Sequence, residues 1–249
     1  MDRLKAALLL IALCLASPWA GAQRIEASDS LQAFDPAQLI APCLLIGTGT
    51  AIHYMAHNTF DVAVQRQMQE WHAGKPDVPF DDYIQYAPLI MDLGLGFTGV
   101  KARNCFIDRT IEAAIAYASA GILGASTKQI FHTLRPNETN YLSFPSGHTI
   151  FAFTGAELVR REFGWGWGAG AYGIATTVAV MRVYRNWHWV SDVLAGAGIG
   201  ILCANIGCWL LEPTKSLFGI ELPDSMTFAV VPGVDPVSGT VCASLAMRF

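Results

Sequence analysis

The chain has 249 residues, 53% of them hydrophobic, and its mean hydropathy is +0.36. That length carries one sizeable core, and that hydropathy is high for a soluble domain yet modest for a protein made only of membrane spans. With 16 basic against 20 acidic residues the net charge is −4, which excludes the basic footprint of a nucleic-acid-binding protein.

Residues 1–22 read as a signal peptide. Arg3 and Lys5 form a charged start, Ala6 to Ala16 an apolar run, and Ala20-Gly21-Ala22 a cleavage signal before Gln23. Residues 23–38 read as an extended start of the mature chain. Leu39 to Met55 is apolar and helix-like, although Pro42, Gly47 and Gly49 weaken it. His53 and His57 have metal-ligand spacing, but no third ligand is evident and no metal is assigned. Phe60 to His72 has helical period with a polar face, suited to a surface or a membrane interface. Gly74 to Asp82, with Pro76, Pro79, Asp77 and Asp81, reads as a loop.

The periodicity then predicts helices over Tyr83–Val100, Asp108–Phe131, Ser146–Phe163, Gly168–Val183 and Val190–Leu211. The third turns charged at its end with Arg160, Arg161 and Glu162. The last carries Gly196, Gly198 and Gly200, which let another helix approach closely. Trp165, Trp167, Trp187, Trp189 and Trp209 fall near segment ends and suit an interfacial belt. After Pro213 the pattern changes. Met226–Val231 and Thr240–Phe249 alternate apolar and polar around Asp235-Pro236 and Ser238-Gly239, which predicts a β-hairpin. Cysteines 43, 105, 203, 208 and 242 include no CxxC and read as small core residues. The fold class expected is all-α, a membrane-associated bundle of about five to six helices with a small C-terminal β-hairpin.

Chemistry concentrates in three blocks: KQIFHTLRP at 128–136, FPSGHT at 144–149 and RVYRNWHWVSD at 182–192. A phosphoryl group in transfer spreads negative charge over three oxygens and needs fixed cations and N–H donors. Arg135 and Arg182 can each supply paired N–H donors, and Lys128 adds a point charge. Ser146 and Gly147 precede a helix whose free N–H groups favour an anion. His188 and Asp192 are four apart, on one helix face. The carboxylate can accept one ring proton and leave the other nitrogen as a nucleophilic lone pair. His148 remains as a second imidazole, able to protonate a leaving oxygen.

Lys-x6-Arg-Pro, then Pro-Ser-Gly-His, then Arg-x5-His-x3-Asp resembles the type 2 phosphatidic-acid phosphatase family, over roughly residues 80–211. Vanadium haloperoxidases share the pattern. The resemblance implies that His188 forms a phosphohistidine supported by Asp192, and that His148 is the general acid. It implies that Lys128, Arg135, Ser146, Gly147 and Arg182 hold the phosphate, and that neither metal nor other cofactor is needed. Two features depart from the family. Met181 stands where a serine is usual, and the loop between Pro136 and Pro145 is short.

The organisation expected is a signal peptide at 1–22, a helical phosphatase domain at 23–212 and a tail at 213–249. The partners implied are a membrane and a lipid phosphate, such as phosphatidylglycerol phosphate, phosphatidic acid, undecaprenyl diphosphate or a lipid A phosphate. A vanadate-dependent haloperoxidase and a non-catalytic lipid-phosphate binder are the alternatives. If every apolar segment spans, the active site faces the cytoplasm. If Leu39–Met55 does not, Lys101, Arg103 and Arg109 form a cytoplasmic basic loop and the site of this bacterial envelope protein faces the periplasm, the preferred reading, with a bundle dipped into one leaflet as a third.

Overall fold

The computed structural model describes residues 34–220, 227–234 and 241–248. The expected signal peptide and the turn of the C-terminal hairpin lie outside the described residues. In chain order the helices are α1 (Pro36–His72), α2 (Asp81–Ile84), α3 (Ala87–Gly94), α4 (Phe106–Phe131), α5 (Gly147–Tyr184) and α6 (Val190–Phe218). Strands β1 (Thr227–Val234) and β2 (Val241–Arg248) follow.

α1 starts where Asp35 accepts the Ala37 N–H at 2.9 Å and Pro36 pre-sets the first turn. The two helices expected at Leu39–Met55 and Phe60–His72 are in fact one. Ile52–Asp61 widens into a π-helical stretch instead of breaking. Pro42 is tolerated because it sits in the first turn of the α-helical part, Ile40–Ala51, where a missing N–H costs little. The segment expected as Tyr83–Val100 is divided. Pro88 lies in the first turn of α3, where its missing N–H costs little, and Gly99, at φ 86°, stops the 3-10 turn that follows.

α6 is the centre of the bundle, buried almost without interruption from Val190 to Cys208. Its small residues set the spacing of its neighbours. A Cβ on Gly198 would lie 2.7 Å from the Pro42 carbonyl of α1, one on Gly200 2.5 Å from the Ile150 carbonyl of α5, and one on Gly207 2.6 Å from the Glu112 carbonyl of α4. Backbones approach this closely only where side chains are absent. α6 runs through Pro213 to Phe218 and ends at Gly219, at φ 62°, so the boundary expected at 212 falls inside a helix.

α5 is a hairpin. Gly164, at φ 78°, separates residues 147–163 from 165–184, near the break expected between Phe163 and Gly168. The arms run antiparallel. Tyr172 donates to Glu157 at 2.7 Å, a Cβ on Gly168 would press on Arg160, and Phe153 meets Tyr172 edge-on. His148 and Arg182 thereby return to the same end. Phe153, Val159, Tyr172, Val178, Leu194 and Ile201 form the main core between these arms and α6. Each such side chain, taken out of water, contributes about 1.5–3 kcal/mol.

The charged end expected at Arg160–Glu162 is inside the protein. Arg160 makes a bidentate pair with Glu157, Arg161 donates to Asn205 at 2.9 Å, and Asn104 donates to Glu162. Arg109, read as part of a basic loop, is also buried. It donates to the Asp92 carbonyl and lies over the Phe106 and Phe163 rings. Four of the five belt tryptophans have protein partners. Trp165 packs on Tyr172 and Trp187 on two arginines, while Trp189 and Trp209 donate to Leu134 and Gln38; Trp167 is exposed.

The strands pair antiparallel from Thr227 with Arg248 to Val234 with Val241, the hairpin that the alternation predicts. Cys43, Cys105, Cys203 and Cys208 are free thiols; the last two are buried, Cys43 is exposed, and Cys105 is partly exposed. Among the described residues, two helices could cross a membrane by length and composition, Pro36–His72 and Val190–Phe218. The second is enclosed by its neighbours. The first leaves Ile40, Leu44, Tyr54 and Met55 exposed.

Candidate active site

The three blocks meet at one end of the bundle. Lys128 comes from the last turn of α4, and Arg135, Ser143 and Ser146 from the connection to α5. Gly147 and His148 open α5, Arg182 closes its returning arm, His188 precedes α6, and Asp192 lies in the first turn of α6.

Asp192 is fully buried and organises its surroundings. Its Oδ2 accepts the Trp189 N–H at 2.9 Å, the Ser143 hydroxyl at 2.5 Å and His188 Nδ1 at 3.3 Å. The first contact caps the helix that carries the aspartate. The third fixes the ring of His188, which is 1% exposed, and leaves Nε2 as the free nitrogen. Burial, then Lys128, Arg182, Arg135 and His148, hold the His188 pKa well below its ordinary value. The imidazole is therefore neutral at physiological pH, the state a nucleophile requires.

The cations are arranged around it. The guanidinium groups of Arg135 and Arg182 both lie against the Trp187 ring, at 5.2 and 5.4 Å from its centroid. The Nε of each is buried and has no partner within the protein. Donors of this kind await an acceptor. Lys128 gives one proton to the Leu142 carbonyl at 2.7 Å, and its pKa falls to about 8 through burial and then Arg135. Its Cε lies 3.9 Å from where a Cβ on Gly147 would sit, so Gly147 leaves room beside the ammonium.

Ser146 stands at the helix head with contacts of its own. Its N–H donates to the Asp192 carbonyl at 3.1 Å, and its hydroxyl accepts from Thr149 at 3.0 Å. It joins the starts of α5 and α6. The first backbone bond within α5 is made by Ile150, so the N–H groups of Gly147, His148 and Thr149 stand at the open head of the helix. The short 132–146 connection is closed by its own bonds, Arg135 N–H to Asn140 and Ser143 N–H to Thr133.

Several contacts have no counterpart in the sequence reading. Asp81 and Asp82 both accept from Arg182 Nη1 at 2.8 Å. Asp82 also meets His148 Nε2 at 3.0 Å, and Arg185 pairs with Asp77 and Asp81. Burial and then Arg182 lower His148 to a pKa of about 4, against the pull of Asp82 and Asp81. Behind the site, Asp61 of the π-helical stretch accepts the N–H and hydroxyl of Ser191 and pairs with His57 at 3.0 Å. Gln65 holds the loop before His188 through the Val183 carbonyl and Asn186. The His53–His57 pair thus serves a hydrogen-bonded support, with His53 packed on Phe144.

A model of the PAP2 superfamily matches residues 109–215, a stretch that contains all three blocks. The chain is 33% identical over 152 residues to the lipid A 1-phosphatase of Porphyromonas gingivalis, which covers 59% of this chain and 34% of that protein. It is 35% identical over 124 residues to the undecaprenyl-diphosphatase of Sulfolobus acidocaldarius, covering 45% and 54% respectively. The chain spans a third to about half the length of these curated relatives. Among solved structures, LpxE of Aquifex aeolicus aligns with 59% of this chain and 93% of that one, at 24% identity and a TM-score of 0.47. With its three blocks in order and gathered around one buried imidazole, residues 109–215 form a PAP2 superfamily domain.

Proposed function

We propose that the protein is a metal-independent phosphatase that removes a phosphate from a membrane lipid phosphate through a phosphohistidine. The observation that carries this reading is the His188–Asp192 pair, with one ring nitrogen committed to the carboxylate and the other set among Lys128, Arg135 and Arg182. In the first step His188 Nε2 bonds to phosphorus as the bond to the leaving oxygen breaks, and His148 gives that oxygen a proton. In the second, water attacks phosphorus, His148 takes a proton from it, and the N–P bond breaks. The unpartnered Nε–H groups of Arg135 and Arg182 and the N–H groups at the head of α5 supply the charge stabilisation through both steps.

The substrate class follows from two supports. The relatives named above act on lipid A phosphate and undecaprenyl diphosphate, and the outer face of α1 is apolar and exposed. The site end is opposite Lys101 and Arg103, which precede α4. That helix of 26 residues is about 39 Å long. With those basic residues on the cytoplasmic side, the site faces the periplasm of a bacterial envelope. The test is purified full-length protein in detergent, offered lipid A 1-phosphate, undecaprenyl diphosphate, phosphatidylglycerol phosphate and phosphatidic acid, each with and without EDTA. Phosphate release that EDTA leaves intact and orthovanadate inhibits is expected. Activity lost in EDTA and restored by zinc or magnesium would overturn metal independence, and halide oxidation with bound vanadate would make it a haloperoxidase.

A further inference from the structure

We propose that Asp82 is a positioning residue of this site: its carboxylate is the partner of His148, as Asp192 is the partner of His188, and it holds His148 turned and chargeable as the proton donor. The inference rests on the phosphatase reading, but Asp82 lies outside the stretch that the family model matches.

The geometry separates this role from two simpler ones. Asp82 is not a remote surface charge, since its Oδ1 lies 2.8 Å from Arg182 Nη1 and 3.0 Å from His148 Nε2 at once. Nor does it occupy the face of Arg182 that a phosphate needs. Asp81 and Asp82 both take the Nη1 end, while Nε, on the other edge of the guanidinium, is buried and unpartnered. The aspartates therefore fix the plane of Arg182 from behind and leave a donor edge toward the substrate. The contact to His148 uses Nε2, so Nδ1 is the nitrogen left to meet the leaving oxygen.

The position of Asp82 is itself fixed. Its N–H donates to the Pro79 carbonyl at 3.3 Å, and its carbonyl accepts from Gln85 at 2.7 Å. Asp81, fully buried beside it, ties the turn to Arg182 and Arg185. His148 faces Arg182 from the returning arm of α5 and Asp81 and Asp82 from α2, with His188, Lys128 and Arg135 across the site. All the cations in that set oppose its protonation. Asp82 is the carboxylate in contact with it, and an arriving phosphate dianion adds to the same effect. With Nε2 held by Asp82, His148 gives its Nδ1 proton to the leaving oxygen and regains one from the attacking water.

The experiment compares wild type, Asp82→Asn and Asp82→Glu. The first measurement needs no turnover: histidine-ring NMR of sulfate-saturated protein, with the His148 signal assigned by its loss in His148→Gln. The expected result is a His148 pKa lower by about one unit in Asp82→Asn and largely restored in Asp82→Glu, as for loss of an opposite charge within hydrogen-bond distance. The second is phosphoenzyme formation by rapid quench on a lipid phosphate and on p-nitrophenyl phosphate. The lipid rate should fall roughly tenfold more than the nitrophenyl rate in Asp82→Asn, because only the alkoxide needs the proton. An unchanged His148 titration, an equal fall on both substrates, or tighter sulfate binding without a shift at His148 would each overturn the proposal. The last would make Asp82 a competing anion. If wild type turns over neither substrate, the phosphatase reading fails, while the titration still decides the His148–Asp82 pairing.

Discussion

Replacing Asp192 by asparagine isolates the charge behind the proposed nucleophile, His188, while keeping its geometry. The Trp189 N–H can only donate, and it binds Oδ2. The amide of an asparagine must therefore place its oxygen at Oδ2 and its NH2 at the Oδ1 position, which has no partner in the native protein. His188 Nδ1 keeps an acceptor, so the ring keeps its tautomer and loses only the negative charge. At the 3.3 Å separation and an effective dielectric of about 20, a full charge pair is worth about 5 kcal/mol. Half a charge on the imidazole in the transition state makes that about 2.5 kcal/mol, or roughly 50- to 100-fold in rate. Stability should change little, since relief of a buried carboxylate's desolvation is offset by an NH2 whose donors have no partner at the Oδ1 position. The assay is rapid-quench phosphoenzyme formation beside thermal unfolding. A loss under threefold would show that the Asp192 charge is not used. A loss beyond 10⁴-fold in a folded protein would show that the tautomer had flipped and that the asparagine orientation argued above is wrong.

His188→Ala should abolish phosphoenzyme labelling from a ³²P substrate while leaving the far-UV spectrum unchanged; a labelled, active variant would remove His188 as nucleophile. Lys128, with a pKa of about 8, is cationic below that value and loses its charge above it. Sulfate, whose own charge is constant, should therefore bind more weakly as pH rises through 8, and Lys128→Arg should flatten the curve; a flat wild-type titration would show that the ammonium does not touch the anion. Gly200→Ala should cost about 1–3 kcal/mol in denaturant unfolding by pressing on the Ile150 carbonyl, whereas Gly94→Ala, with open space around it, should be neutral or better; equal effects would refute the close packing on α6.

What the sequence disclosed of the site is what local chemistry can disclose. His188 and Asp192 announce themselves by a four-residue spacing, and Gly147 and His148 by their place at the start of an apolar helix. Asp81, Asp82 and Asp61 carry no such sign. Asp82 is 100 residues from Arg182 and Asp61 is 130 from Ser191, and a loop of aspartates looks the same whether it faces water or two arginines. A charged run at a helix end reads as solvated, yet Arg161 and Glu162 are buried because Asn205 and Asn104 come from elsewhere in the chain to meet them. The join within α1 was hidden for a related reason. Gly47, Gly49 and Pro42 lower intrinsic helicity, and Gly49 is compensated by its contact with Ala195 on α6. The hairpin of the tail was legible because strict alternation around a turn needs no tertiary partner to be recognised.

The folded-back shape of α5 imposes a rule on length. His148 begins the outgoing arm and Arg182 ends the returning one, and both reach the same carboxylate of Asp82. One residue added to either arm would advance everything beyond it by about 1.5 Å and rotate it by about 100°. Histidine and arginine would then point to different sides of the bundle, even if every apolar contact could be repacked. Insertions and deletions should thus be tolerated at residues 73–76, before Asp77 engages Arg185, and rejected between Gly147 and Tyr184, where residue count is itself the alignment of the two functional ends.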